Sequence, residues 1–264
     1  MKKYIVIILC VLGMHMHAHT QPSEGFVTFA TSNYFDLLKV TLDSAHEFST
    51  RPVIAYGINA EIPFDTAQYP RLIKRRLDVD LSKVHIFFIK VRIILESGLD
   101  YGVYIEADDI LNKGVDTLFD VCKTIQDYPL CPLHPKDPEN QYQIMKLMGV
   151  THKSMPYVHA HILFSHTCRA FLQEWYEACL KYGRKAPNFD ETILNVLLWK
   201  YGATQYLPVY DPYFESIQAW RENRIPYEHG YTQPDIHYYM LHGCKNHAQA
   251  AYILEQLKQY AQQD

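Results

Sequence analysis

The chain has 264 residues, of which 48% are hydrophobic, so it is long enough to bury one large core or two small ones. A formal net charge of −4 argues against a nucleic-acid-binding protein held by bulk electrostatics, and no nucleic-acid partner is predicted. The composition also excludes collagen-like, coiled-coil and low-complexity proteins.

Residues 1–20 are predicted to be a leader and are set apart from the fold. Two lysines precede an apolar run from Tyr4 to Met14, whose length suits a signal-peptide core and is short for a membrane span. A short signal anchor is the alternative. We therefore expect a secreted or lumenal protein without a stable membrane span beyond this leader. Residues 21–264 show no repeat and no long linker, which predicts one domain.

Strands and helices alternate through the first half of that domain. The predicted order is strand 25–31, helix 32–48, strand 51–59, a short helix over the basic run 71–76, helix 89–97 and strand 101–109. Gly98 is expected to end the helix 89–97. This alternation predicts an α/β protein, Rossmann-like, with a mainly parallel central sheet and helices on both faces.

The second half is mixed. Its predicted elements are helix 115–126, a proline-rich loop 127–141, a strand or loop 157–165, helices 166–183 and 188–202, strand 203–209 and a closing helix 250–263. Five cysteines follow the leader without a C-x-x-C pair, which argues against a zinc ribbon or a thioredoxin-like site. A Cys122–Cys131 disulfide and a set of buried free thiols both remain open.

Carboxylates crowd the end of the predicted strand "YGVYIEADD". Ligands bind beyond the carboxyl ends of strands in such sheets, so this position favours a site. On an extended segment Glu106 and Asp108 would point to the same side and could share one divalent ion. Asp109 would point the other way, to cap the segment or to bond "LNKG". The alternative is an acidic turn without function.

Two later segments could serve the same site. In "MLHGCKN", His242 could complete a metal shell, Gly243 would allow close backbone approach, and Lys245 would bring a cation to phosphate oxygens. In "NFDETILN", Asp190 and Glu191 open a helix, where carboxylates suit the positive end of the dipole. If they have a functional role instead, one of them would bind an acceptor hydroxyl or stabilise a developing oxocarbenium ion.

In this order the motifs resemble the GT-A type of nucleotide-sugar glycosyltransferase. The resemblance covers nearly all of residues 25–250 and rests on "FVTFATSNYFDLLKVTLDS", "KVRIILESG", "VYIEADD", "DETILN" and "LHGCKN". Two departures stand out. Glu106 occupies the place where the first acid is usually Asp, and Gly243 follows His242 directly where the family has two residues between them.

The resemblance implies an enzyme that transfers a sugar from a nucleotide-diphosphate donor of the UDP or GDP type. Ala30, Thr31 and Tyr34 would lie near the nucleoside. Lys90 would approach the diphosphate or the donor sugar, and Lys245 would stabilise the diphosphate leaving group. The late His–Gly–Lys element is more usual in retaining members of the family, which favours retention of the anomeric configuration.

The resemblance also implies a divalent metal and an acceptor side. Asp108 and His242 would hold Mn²⁺ or Mg²⁺, and Glu106 would touch the ion or the ribose. Asp190 or Glu191 would face the sugar and the acceptor, which is a hydroxyl of a glycan, a protein or a small molecule.

Two other functions are compatible with these residues. A metal-dependent phosphoesterase or nucleotide hydrolase would use the same acids and would need further His and Asp ligands after strand ends, of which the sequence shows few. A non-catalytic nucleotide-sugar-binding protein is the other. His159 and His161 in "HAH" could be a metal pair, but without a nearby acid in the sequence we interpret them as loop or core histidines.

Overall fold

A computed structural model of the chain describes residues 23–134, 140–207, 215–216, 239–244 and 246–262. The strands are β1 (Glu24–Ala30), β2 (Val53–Ile58), β3 (Leu72–Leu77), β4 (Tyr101–Tyr104), β5 (Ile110–Leu111), β6 (Ile162–Ser165), β7 (Glu215–Ser216) and β8 (Met240–His242). The helices are α1 (Phe35–Phe48), α2 (Ile89–Ser97), α3 (Leu118–Thr124), α4 (Tyr142–Leu147), α5 (Arg169–Tyr182), α6 (Phe189–Lys200) and α7 (His247–Ala261).

The central sheet has five strands in the order β3-β2-β1-β4-β6. The first four are parallel, and β6 runs antiparallel to β4. Every residue of β2 is buried, as expected of a strand covered on both faces. With α2 packed on β1, α3 packed on β4 and further helices around the sheet, the predicted α/β fold class is confirmed.

The edge formed by the carboxyl ends of β1 and β4 is where this topology opens a crevice. From β1 the chain moves outward to β2 and β3, then returns to place β4 on the other side of β1. Such a reversal of strand order leaves space between two neighbouring strands, where open α/β sheets bind ligands. Ala30 ends β1, and Glu106 lies two residues beyond β4, so both lie at this crevice.

Three element predictions need correction. The run 71–76, predicted as a helix, instead forms β3 from Leu72 onward, an edge strand in which buried and exposed side chains alternate. Pairing with β2 decides this conformation, and the charged exposed side chains are typical of a protected sheet edge. In the predicted strand 101–109, β4 ends at Tyr104 and a turn follows. In the predicted strand 203–209, the described part forms only an isolated bridge from Leu207 to Pro132.

The turn changes the argument for the acid pair, because Glu106 and Asp108 do not share one face of a strand. The backbone N–H of Asp109 donates to the carbonyl of Glu106 at 3.2 Å, which closes a tight turn. Any cooperation between the two acids therefore depends on the turn, not on the alternation of a strand.

A second, small sheet brings the C-terminal segment to this turn. β8 pairs antiparallel with β5 and parallel with β7. Residues of this small sheet pack in a separate hydrophobic cluster that includes Ile110, Leu241, Ile253 and Leu257. Since β5 begins directly after Asp109, its pairing with β8 carries His242 to the acidic turn.

The helix prediction over 89–97 is confirmed, and Gly98 ends it with a φ of 76°, in the left-handed region that glycine favours. Cys122 and Cys131 are both buried free thiols, so no disulfide joins them. Among the described residues, no helix has both the length and the hydrophobicity required to cross a bilayer. The predicted leader lies outside the described residues.

Candidate functional site

Asp109 organises the acidic turn from inside. Its side chain is fully buried, and Oδ2 accepts the backbone N–H of Glu106 at 2.7 Å. Oδ1 lies 2.9 Å from Nδ1 of His242, and Oδ2 lies 3.3 Å from Nε2 of His161. Burial by itself raises the pKa of this carboxyl, but the two histidines outweigh burial and lower it. Asp109 thus caps the segment, one of the two roles expected for it, and also positions two imidazoles.

His242 is held beside the two aspartates. Its Nδ1 lies 2.9 Å from Asp109 and 3.7 Å from Oδ1 of Asp108. Burial lowers the pKa of this imidazole, yet the contact with Asp109 and the neighbouring carboxylates raise it to about 9. The surroundings therefore favour positive charge here. A carboxylate against one ring nitrogen is also the arrangement that orients histidine ligands in metal sites.

Asp108 is the carboxylate that most needs a cation. Burial raises its pKa to about 6, and the charges of Asp109 and Glu106 add to this, while His242 acts against it. Carboxylates this close repel unless a proton or a cation intervenes. An oxygen ligand from Asp108 and an imidazole from His242 fit a divalent ion such as Mn²⁺. The residues present at the turn therefore fit the predicted metal.

Glu106 has partners within the protein. Its Oε1 lies 2.8 Å from Nζ of Lys90, and its Oε2 accepts the hydroxyl of Tyr104 at 2.7 Å. Burial raises the pKa of this carboxyl, but Lys90, followed by His161, lowers it below its ordinary value. Both oxygens are engaged, so the structure gives Glu106 a clear role as a partner of Lys90, and a role as metal ligand stays a prediction.

Lys90 joins the acidic turn to the start of α6. It is only 6% exposed, and its Nζ lies 3.3 Å from Oδ2 of Asp190 and 5.0 Å from the ring centroid of Tyr104. Burial lowers the pKa of the amine, but Asp190 and Glu106 together raise it above its ordinary value. Burial raises the pKa of Asp190 to about 6. A buried cation therefore links two acids from different elements.

A cavity of about 420 Å³ opens at the crevice. Its lining residues are Phe29, Ala30, Thr31, Tyr34, Ile86, Phe87, Glu106, Ala107, Asp108 and His242. The lining combines the aromatic side chains of Tyr34 and Phe87, which are 52% and 45% exposed, with the acidic side chains of Glu106 and Asp108. Apolar walls with a few convergent polar groups are typical of small-ligand sites.

The structure thus brings together six of the predicted site residues: Ala30, Thr31, Tyr34, Glu106, Asp108 and His242. Lys90 adjoins this set through Glu106, and Asp190 adjoins it through Lys90. Gly243 follows directly after the end of β8 and has a φ of 97°, a conformation that favours glycine. Lys245 lies outside the described residues.

Glu191 faces a different group. It points to His159, whose Nδ1 lies 3.7 Å from its Oε2, and His134 lies against His159 with ring centroids 4.1 Å apart. Burial raises the pKa of Glu191, but the contact with His159 lowers it to about 2, and burial lowers the pKa of His159 to about 4. One ligand atom from each of these three residues lies within 4.8 Å of the others.

Sequence reasoning therefore missed the partners of "HAH". We interpreted His159 and His161 as loop or core histidines because no acid is near them in the sequence. In the structure, Asp109 contacts His161, which lies 52 residues further along the sequence. Glu191 contacts His159, from which it is separated by 32 residues. Only their tertiary placement reveals these pairs.

We expect Asp109→Asn to weaken Mn²⁺ binding roughly 10- to 100-fold, because a buried carboxylate that orients an imidazole ligand is lost. Titration calorimetry with Mn²⁺ on the wild-type chain and the variant measures this. Asp116→Asn is the matched control, since that carboxylate also joins two segments, accepting the backbone N–H of Thr50 at 2.9 Å, away from the site. Equal affinity for Mn²⁺ in Asp109→Asn and the wild type would rule out His242 as a ligand oriented by Asp109.

No protein-family profile matches the chain, and no curated protein matches its sequence. Solved structures do resemble it. The galactosyltransferase LgtC, solved in complex with donor and acceptor sugar analogues, superposes with a TM-score of 0.58 and 13% identity, covering 90% of this chain and 95% of LgtC. An active-site glutamine-to-glutamate mutant of LgtC gives 0.55 and 15% identity with the same coverage.

The glycosyltransferase GlyE of Streptococcus pneumoniae, solved in its apo form, gives a TM-score of 0.55 at 12% identity. The match covers 90% of this chain and 64% of the length of GlyE. At these identities the likeness establishes the fold alone. The chain has the GT-A type of α/β fold that the sequence motifs predict.

Proposed function

We propose that the chain is a metal-dependent glycosyltransferase, which moves a sugar from a nucleotide-diphosphate donor to a hydroxyl acceptor. The observation that carries this proposal is the cavity between β1 and β4. Its exposed aromatic side chains suit a nucleoside, and its lining also contains Asp108 and His242. The fold shared with LgtC and GlyE supports the same reading.

The donor side of the proposed reaction uses the residues that line the cavity. Tyr34 and Phe87 have exposed aromatic surface that would contact the base, and the end of β1, which lines the cavity, would lie near the nucleoside. Asp108 and His242 would hold Mn²⁺ or Mg²⁺, and a mixed oxygen and imidazole set favours Mn²⁺. When bound, the ion neutralises the charge that grows on the diphosphate leaving group.

Lys90 does not line the cavity and acts on the site through its positive charge. Its buried ammonium holds Glu106 and Asp190 close together, so both stay fixed at the site. Fixed charges in a water-poor cleft need no reorganisation during the reaction. Asp190 would face the sugar, and α6 would orient the acceptor. Retention of the anomeric configuration is part of the proposal, on the strength of the His–Gly element at His242.

Thermal unfolding of the full chain with UDP or GDP tests the proposal, with Mn²⁺ or with EDTA. A nucleotide at 100 times its Kd stabilises the folded state by about 2.7 kcal/mol. For a chain of this size we expect a rise in Tm of roughly 5 to 10 °C with Mn²⁺ and little or none with EDTA. The same midpoint with every nucleotide, with and without metal, would contradict the proposal.

The two histidine–carboxylate groups give the hydrolase alternative a specific observation in its favour. The sequence shows few of the extra ligands such an enzyme needs, but the structure gathers Asp109, His161 and His242, and also His134, His159 and Glu191. Product analysis separates the two functions. A phosphoesterase or nucleotide hydrolase cleaves a P–O bond and releases inorganic phosphate, a nucleoside monophosphate or a sugar phosphate at a rate independent of hydroxyl acceptors. A transferase instead joins the sugar to the acceptor hydroxyl as a new glycoside and releases the nucleoside diphosphate. Nucleotide binding without either product would indicate the non-catalytic binding protein.

A further inference from the structure

His134 and His159 are brought side by side by a short antiparallel pairing. Leu133 bridges Val158, the N–H of His134 donates to the carbonyl of Tyr157 at 2.9 Å, and the N–H of His159 donates to that of Pro132 at 2.8 Å. In this register the two histidines are diagonal neighbours on one face. Their ring centroids lie 4.1 Å apart at an interplanar angle of 38°, so the two imidazoles are held together by backbone pairing.

Glu191 reaches this pair from the first turn of α6, and its position is also fixed. One carboxylate oxygen accepts the backbone N–H of Ala160 at 3.2 Å, and the other accepts the side-chain amide of Asn188 at 3.3 Å. Asn195, one turn further along α6, makes two hydrogen bonds of 2.8 Å to the N–H and C=O of Val158. The helix that supplies the carboxylate is thereby clamped to the segment that supplies His159.

The three ligand atoms are close enough for a single ion. They lie within 4.8 Å of one another, and the ligands of a tetrahedral zinc lie roughly 3.3 Å apart, so small side-chain rotations would close the set. Two imidazoles and one carboxylate suit Zn²⁺, whereas Mg²⁺ prefers oxygen ligands alone. Such a set leaves a fourth position for water.

We propose that His134, His159 and Glu191 form a zinc site separate from the predicted donor metal. The two sites are neighbours that share no ligand, since the rings of His159 and His161 are 6.2 Å apart and His161 belongs to the group around Asp109. The zinc site stands on its own geometry and does not depend on glycosyl transfer.

Zinc binding to the untagged full chain tests the proposal. All samples carry alanine at His15, His17 and His19, because these three alternating histidines could bind metal themselves. They also carry Asp108→Asn and His242→Ala, to remove the predicted donor site and to break the neighbouring group of Asp109, His161 and His242. Each metal-stripped sample is then titrated with Zn²⁺ against a chromophoric chelator.

We expect the parent to bind one Zn²⁺, and His134→Ala and His159→Ala to weaken that binding by at least about 100-fold. His166→Ala, at an exposed histidine outside both groups, is the matched control and should bind Zn²⁺ like the parent. Circular dichroism checks that each variant is folded, and visible absorption of bound Co²⁺ reports the ligand set independently.

The proposal is overturned if the parent binds no Zn²⁺, or if folded His134→Ala and His159→Ala bind it as tightly as the parent. A Co²⁺ spectrum that is the same in His134→Ala as in the parent would also overturn the proposal. Nucleotide binding is measured separately on the chain with Asp108 and His242 intact, so failure of the zinc site and failure of the proposed function are distinguishable.

Discussion

Asp108→Asn is expected to abolish Mn²⁺-dependent binding of UDP or GDP and to lower kcat/KM by roughly 1,000-fold, about 4 kcal/mol of transition-state stabilisation. Asparagine keeps the shape of the side chain but removes the charge that pairs with a divalent ion. Calorimetry with nucleotide and Mn²⁺, together with initial rates of sugar transfer, measures both effects.

The same change is expected to leave the metal-free protein at least as stable as the wild type. Asp108 is buried beside Asp109 and Glu106, and removing one of three like charges relieves their repulsion. Asp120→Asn on the exposed face of α3, where the carboxylate is 79% exposed, is the control and should change neither binding nor stability. Undiminished Mn²⁺-dependent binding by a folded Asp108→Asn variant would remove this residue from the metal site.

Lys90→Met should cost about 3 to 5 kcal/mol of the free energy of unfolding, the usual cost of breaking a buried ion pair by removing one partner. Methionine fills much of the same space, but it leaves Glu106 and Asp190 facing each other without the cation between them. Urea unfolding measures the loss. We also expect transfer activity to fall, because both acids then move from their fixed positions.

A double-mutant cycle isolates the ion pair in this result. Asp190→Asn in the Lys90→Met background should recover part of the lost stability, because it removes one of the two unpaired charges. Lys123→Met is the control, since that amine is 42% exposed and its ion pairs should contribute less than about 1 kcal/mol. If Lys90→Met destabilises the chain no more than Lys123→Met, the buried pair does not hold the site together.

Local sequence patterns fail where tertiary contacts outweigh them. The run 71–76 has charged side chains that resemble the exposed face of a helix, yet it forms β3 because its backbone pairs with β2. Similarly, the hydrophobic run into Glu106 suggests a longer strand than β4. The turn forms because Asp109 binds the backbone N–H of Glu106 from a buried position.

The sequence by itself determined the α/β alternation, the helix ending at Gly98 and the placement of carboxylates at a strand exit. These features depend on hydrophobic periodicity and backbone preference within a few residues. Only the tertiary structure decided which histidine meets which acid. Asp109 meets His242 across 133 residues and His161 across 52, and Glu191 on helix α6 meets His159 in the segment before β6. Contacts between such distant segments follow from sheet order and helix packing, which no local pattern encodes.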